Sequence, residues 1–223
     1  MQTITSKEFL LKMLILEDIH YHHATAEKVV LKGINLKLSS LRPVIISGES
    51  GSGKTTLLEI ISGLTRPNKG KIYWNKKYIN QRARRNLCGV VFQFPERHFL
   101  GLTVSQELRL GHRRISSEDQ VKALTKVGLN ELNFKEAPEK LSGGQQRRLA
   151  LATQLLKKPS ILILDEPTAG LDWSVRGEIV NLLEKLSKDQ LLVIMSHEPE
   201  LFSHWSVSSY QLFKGELLDY LYR

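Results

Sequence analysis

Val44-Ile45-Ile46-Ser47-Gly48-Glu49-Ser50-Gly51-Ser52-Gly53-Lys54-Thr55-Thr56 is the stretch on which the fold is decided. An apolar run of strand length meets a glycine-rich turn, and the turn opens a helix that Gly63 ends. Gly48 to Thr55 fits the phosphate-loop pattern G-x-x-x-x-G-K-[ST] in the strand-to-helix setting that the pattern requires. The chemistry explains the composition. Glycines let successive backbone N–H groups turn inward around phosphate oxygens, and the helix points its positive end at them. Lys54 reaches the terminal phosphates, and the Thr55 hydroxyl is suited to Mg²⁺. By composition alone such a match arises on the order of once in a hundred chains of this length, so a plain glycine turn is disfavoured.

Strand-like segments surround this loop. Leu14 to Ile19, Val29 to Leu31 and Ile34 to Leu38 precede it, and after the turn Pro67-Asn68-Lys69-Gly70 comes Lys71-Ile72-Tyr73-Trp74. From about Val104 to Leu156 the apolar spacing is helical, which predicts a mostly helical lobe inserted into an α/β core. Two continuous apolar runs come next, Ile161 to Leu164 and Leu191 to Met195, separated by a helix near Val175 to Leu186. This is the βαβ rhythm of a parallel sheet buried on both faces. Ser208 to Leu212 and Gly215 to Leu218 form a closing hairpin. The expected organisation is one domain over 1–223, with a core of 1–93 and 159–223 and a lobe at about 94–158.

Ile161-Leu162-Ile163-Leu164 delivers two carboxylates, Asp165 and Glu166, to the end of a buried strand. Asp165 can join the Mg²⁺ shell. Glu166, expected to face elsewhere because strand side chains alternate, can polarise an attacking water. Solvated acids capping a strand end are the bland alternative, which the phosphate loop makes less apt. Together the two sites point to nucleoside triphosphate hydrolysis.

Leu141-Ser142-Gly143-Gly144-Gln145-Gln146-Arg147-Arg148 selects the branch. The chain resembles the ABC ATPase family over nearly its whole length, with Leu141 to Gln145 matching the family signature. The resemblance implies an α/β P-loop NTPase (RecA-like) core with an antiparallel β subdomain and an inserted helical subdomain. It also implies that Ser142, Gly143 and Gly144 open a helix whose tip binds the γ-phosphate of ATP held by a second ABC ATPase protomer, so that Glu49, Ser50, Gly51, Ser52, Gly53, Lys54, Thr55 and Thr56 of one copy and Ser142 to Gln145 of the other share one nucleotide. Gln93 resembles the Q-loop glutamine that contacts Mg²⁺ or water. Asp172, in Ala169-Gly170-Leu171-Asp172, resembles the D-loop, and His197 resembles the switch histidine on the γ-phosphate. The family stacks a ring on adenine after its first strand; the candidates here are Tyr21 and His23, and the register favours His23. Trp173 is either a seam residue or a plain helix start.

Composition agrees with a globular chain: 223 residues, 41% hydrophobic and 25% charged. No apolar run approaches the ~18 residues needed to span a bilayer. Residues 1–8 carry no secretory pattern, so the expected location is cytoplasmic, and the family resemblance implies a peripheral position on the membrane. The single cysteine, Cys88, is expected on a buried strand. A net charge of +9 is spread over the chain, with clusters at Arg82-Ala83-Arg84-Arg85, Arg113-Arg114 and Arg147-Arg148. Most of these are expected to be solvated surface, and no nucleic-acid partner is expected.

The load of such a motor is less legible. Phe94-Pro95-Glu96 after Gln93 resembles the ATPases of energy-coupling-factor uptake systems and their cyanobacterial and plastid relatives. That favours a transporter subunit docking integral membrane partners near Phe94 to Thr103. The alternative is a soluble ATPase of the iron–sulfur assembly type or with another non-transport role.

Overall fold

The computed structural model describes residues 12–23, 29–39, 42–112 and 114–220. The leader reading of residues 1–8 and the Arg113 reading lie outside the described residues.

Two sheets make the frame. Strand β1 (Met13–His22) pairs antiparallel with β2 (Val29–Ser39) and with β4 (Lys69–Trp74), and β4 pairs with the short β5 (Lys77–Tyr78). The two segments expected at Val29 to Leu31 and Ile34 to Leu38 are one strand. Gly33, at φ +67, carries the chain through an irregularity without ending the ladder.

The second sheet has the order β10-β9-β3-β8-β7-β6. Its members are β3 (Val44–Ser47), β6 (Cys88–Val91), β7 (Ile161–Asp165), β8 (Leu191–Ser196), β9 (Ser208–Phe213) and β10 (Glu216–Asp219). β3 runs parallel to β8 and β9, and β7 runs parallel to β6 and β8. Only β10 is antiparallel, closing the expected hairpin with β9.

The continuous apolar strands are explained by alternation into two separate cores. Ile45, Leu162, Leu164, Leu192 and Ile194 enter one cluster with the helices α3 (Val104–Arg109), α4 (Ser117–Lys126), α5 (Gly143–Leu156) and α6 (Trp173–Leu186). Val44, Ile46, Ile161, Ile163, Leu191, Val193 and Met195 enter the other, with α1 (Lys54–Ser62) and the antiparallel sheet. Both strand faces are dry, so no polar alternation survives in the sequence. Cys88 is buried, and burial pushes its thiol up to about 12, which leaves it an inert core residue at neutral pH.

Not all of the basic clusters are solvated. Arg84, on α2 (Gln81–Leu87), and Arg147, on α5, are 4% and 3% exposed. Isolated arginines inside a basic run read as surface because arginine is seldom buried, and only the fold reveals which turn of the helix faces inward.

α1 ends where expected, at Gly63, which is left-handed at φ +80 and donates to the Ile60 carbonyl. A Cβ there would lie 2.4 Å from the Gln81 carbonyl oxygen and 2.9 Å from Arg84 Cβ. Gly63→Ala is therefore expected to cost more than about 1 kcal/mol in urea unfolding, since strain and crowding act together.

Candidate nucleotide site

The carboxyl ends of β3, β7 and β8 deliver Ser47, Asp165 and Ser196 to one edge of the sheet, where β8 lies between the other two. The residues just beyond each strand build the site: the phosphate loop after β3, Glu166 after β7 and His197 after β8. They line a cavity of about 650 Å³ with Gln93, His23, Val30, Ser50, Gly51, Gly53, Thr55 and Thr56. Gly48, Glu49 and Ser52 belong to the same loop without lining the cavity. The Gly48 and Glu49 carbonyls instead accept from Lys54 Nζ at 2.6 and 3.2 Å. In this arrangement the lysine folds back on its own loop, and an arriving phosphate would compete with those carbonyls.

Glu166 does not separate from Asp165 by strand alternation. It stands just past β7 with φ +47, a left-handed conformation that turns its carboxylate off the strand path, so both acids line one cavity. Its Oε2 accepts from the His197 backbone N–H at 3.2 Å and lies 2.7 Å from His197 Nδ1, while its Oε1 is 3.8 Å from Lys54 Nζ. Thr55 Oγ1 donates to Asp165 Oδ2 at 3.0 Å. Burial pushes the Asp165 carboxyl above its ordinary value; the Thr55 hydrogen bond works against this, and the Glu166 charge adds to it.

Hydroxyl, carboxylate and amide oxygens are the hard donors that Mg²⁺ takes. Thr55, Asp165 and Gln93 present that set inside the cavity. Among the described residues no cluster of three His, Cys, Asp or Glu forms a metal cage. A cation held by one carboxylate, a hydroxyl and substrate phosphates fits this donor set.

Of the two aromatic candidates, His23 lines the cavity. Tyr21 packs against the core, with its ring edge-on to His23 at 5.2 Å.

Ser142, Gly143, Gly144, Gln145 and Asp172 are not brought to this cavity. Ser142 caps α5 in a reciprocal arrangement: its Oγ accepts from the Gln145 N–H at 3.3 Å, and Gln145 Oε1 accepts from the Ser142 N–H at 2.9 Å. Ser142 and Gly143 are exposed. Gly144 has an internal reason to be glycine as well, because a Cβ would lie 2.6 Å from Val175 Cγ1 on α6. Asp172 precedes α6 and is exposed, as is Trp173, its first residue, at 78%.

Two positioning side chains carry no signal in the sequence. Arg147 donates to the Phe92 and Ala169 carbonyls at 3.4 and 3.1 Å, tying the residue before Gln93 to the loop that leads to Asp172. Arg176 donates to the Leu171 carbonyl at 2.9 Å and to both Glu198 oxygens at 3.1 and 3.2 Å, tying that loop to the residue after His197. No local pattern marks either, since their partners are backbone carbonyls or lie far along the chain.

Beyond the geometry, the likeness to known proteins is specific. The family model described as "ABC transporter" matches residues 31–169. The chain is 38% identical to "ABC transporter I family member 11, chloroplastic" of Arabidopsis thaliana, over 81% of this chain and 71% of that protein. The chain belongs to the ABC transporter family. It is also 40% identical to "Energy-coupling factor transporter ATP-binding protein EcfA2" of Acetivibrio thermocellus, over 78% of this chain and 66% of that one. This member of the family thus spans between 66% and 71% of the length of these curated relatives. Among solved structures it superposes on cbiO1 from Clostridium perfringens, described as part of the ABC transporter complex cbiONQ. That match has a TM-score of 0.84 and 28% identity, and it covers 92% of this chain and 86% of that one. The mixed α/β architecture is that of the ABC ATPase cassette.

Asp165 gives a stability prediction. Its folded-state pKa is raised, so its contribution favours the native state at low pH and is lost as pH rises through the shifted value. Asp165→Asn is expected to raise the thermal midpoint at pH 7 in EDTA without nucleotide, and the gain should vanish below about pH 4, where both states are protonated. Calorimetry across that range checks the sign.

Proposed function

We propose that this chain is the ATP-binding and ATP-hydrolysing motor subunit of an ABC-type membrane transporter, working as a sandwich dimer with two composite ATP sites. The observation that carries the reading is a division of the site residues. The phosphate loop, Asp165, Glu166, Gln93 and His197 meet in one cavity, while Ser142 to Gln145 and Asp172 stand away from it, exposed or partly so. At this helix tip the Ser142 and Gln145 N–H groups serve the cap, and those of Gly143 and Gly144, the first two helical residues, are left to bind an anion; in this reading a second protomer, identical or not, supplies it.

Within each site the roles follow from the side chains. The loop N–H groups and Lys54 hold the terminal phosphates once the lysine leaves the Gly48 and Glu49 carbonyls. Thr55, Asp165 and Gln93 hold Mg²⁺, which when bound neutralises charge on the phosphate oxygens. Glu166 accepts a proton from the attacking water, and its bonds from His197 fix the direction of its carboxylate. The His197 ring N–H, once turned away from Glu166 Oε2, is then placed to donate toward the γ-phosphate. His23 offers its ring to adenine.

The segment of about 94–158 acts in this proposal as a mostly helical lobe that carries the signature serine and meets the membrane partner. Leu100 and Leu102, both 80% exposed, stand just after Phe94-Pro95-Glu96 and offer an apolar foothold. The energy-coupling-factor and cbiONQ descriptions of the relatives support separate membrane subunits. No helix among the described residues is long and apolar enough to cross a membrane, and the proposed location is peripheral, on the cytoplasmic face. Retention of integral membrane proteins in a mild-detergent pull-down is the expected result. Recovery of soluble scaffold proteins alone would redirect the reading to an iron–sulfur assembly role.

Glu166→Gln is expected to slow ATP hydrolysis at least about a hundredfold while leaving nucleotide binding intact and accumulating an ATP-bound dimer. Wild-type turnover would remove the general-base role. Ser142→Arg is expected to abolish turnover yet spare ATP binding to the monomer, measured with a fluorescent nucleotide at low protein concentration. Equal loss of monomer binding would contradict the shared site.

A further inference from the structure

α1 spans roughly 13 Å, with the phosphate loop at one end. At its other end, the chain Thr65-Arg66-Pro67-Asn68-Lys69-Gly70-Lys71 runs past the start of α2, which carries Arg82, Arg84 and Arg85. Arg84 turns inward and is 4% exposed. Among the described residues its guanidinium reaches two carbonyls, those of Ile79 at 3.5 Å and Thr65 at 3.4 Å, both long for N–H···O bonds. Its Nε has no partner, and no carboxylate forms an ion pair with it among the described residues. Burial pushes the guanidinium below the ordinary arginine range; the neighbouring Tyr78 and Cys88 groups work against this, and the charges of Arg66 and Arg85 add to it. A buried cation without a counter-charge is costly, and arginine does not shed its proton to escape.

Beside Arg84 is a cavity of about 320 Å³, to which β4 and α2 both contribute. Arg66 and Lys71 line it too, and neither forms an ion pair among the described residues. Glu17 stands opposite Lys71 in the strand register but outside ion-pair distance. Among the described residues no acidic side chain lines the cavity. Its amides also offer donors. Asn68 Oδ1 is taken by the His22 N–H at 2.8 Å and Asn80 Oδ1 by the Ala83 N–H at 2.9 Å, which leaves their N–H₂ groups as the ends available to a ligand. Three cations and two amide donors with no carboxylate among them describe the complement of a small, multiply charged oxyanion. The volume, at the lower end for ligand sites, limits its size.

We infer that this cavity is a second anion site, for a phosphate group, at the opposite end of α1 from the nucleotide site. It shares no lining residue with the nucleotide cavity. Arg84 is the buried anchor, and Arg66 and Lys71 close over the phosphate from the exposed side. A dianionic phosphate suits three cations better than a carboxylate, which brings one charge and two oxygens.

Titration calorimetry with inorganic phosphate tests this on the full chain carrying Lys54→Ala, which cripples the phosphate loop. Binding is expected to persist there. Adding Arg66→Ala and Lys71→Ala should weaken it roughly ten- to a hundredfold. Arg84→Met should abolish it while raising the thermal midpoint in phosphate-free buffer, which separates loss of the site from loss of the fold. Sedimentation with phosphatidylcholine vesicles, with and without phosphatidic acid, distinguishes the source of the phosphate. Retention that the Arg66 and Lys71 substitutions remove assigns a lipid headgroup, and phosphate binding without retention assigns a free phosphate. The inference is overturned if the Lys54→Ala chain binds neither probe, or if the added substitutions leave its phosphate affinity unchanged.

Discussion

The structure depends on burying three parallel strands, β3, β7 and β8, from both sides. Their odd and even residues feed two different cores, one shared with the helices α3 to α6 and one with α1 and the antiparallel sheet. Parallel strands in register end together, so the phosphate loop, Glu166 and His197 emerge side by side although more than a hundred residues separate the first from the others. The site is a property of that shared edge, and its loops inherit the rigidity of the sheet beneath them.

At that edge the charges are arranged around Glu166. Lys54 stands on one side of its carboxylate and His197 on the other, and the strained backbone at Glu166 holds the group in place between them. Asp165, one residue earlier, is instead engaged by Thr55 at the start of α1. Neighbouring carboxylates are thus committed to different partners, which is how one strand end serves both cation binding and proton acceptance in the proposed mechanism. Arg147 and Arg176 extend the order outward by fastening the loops that carry Gln93, Asp172 and His197 to one another.

Buried arginines mark where a solvated-surface reading of the basic clusters gives way. Arg147 is met by the Phe92 and Ala169 carbonyls and acts as an internal clamp. Arg84 is met by the Ile79 and Thr65 carbonyls at somewhat longer range and lines a cavity with Arg66 and Lys71. Each leaves its Nε without a partner among the described residues, so the difference lies in the surroundings. A buried guanidinium beside a donor-lined cavity is suited to receive an anion.

By itself the sequence determined the glycine-rich turn between β3 and α1, the acid pair after a buried strand, the serine-led start of α5 and the glycine that ends α1. Each is a contiguous pattern whose chemistry is local, and local patterns survive without knowledge of the fold. Tertiary structure alone decided the rest. Glu166 shares a cavity with Asp165 because one residue adopts a left-handed turn, where strand alternation predicts divergence. Gly144 must be small for Val175, which lies on another helix. Arg84 and Arg147 are buried because of which helical face meets the core. These are long-range contacts, set by packing among segments far apart in the chain, and no window of neighbouring residues contains both partners.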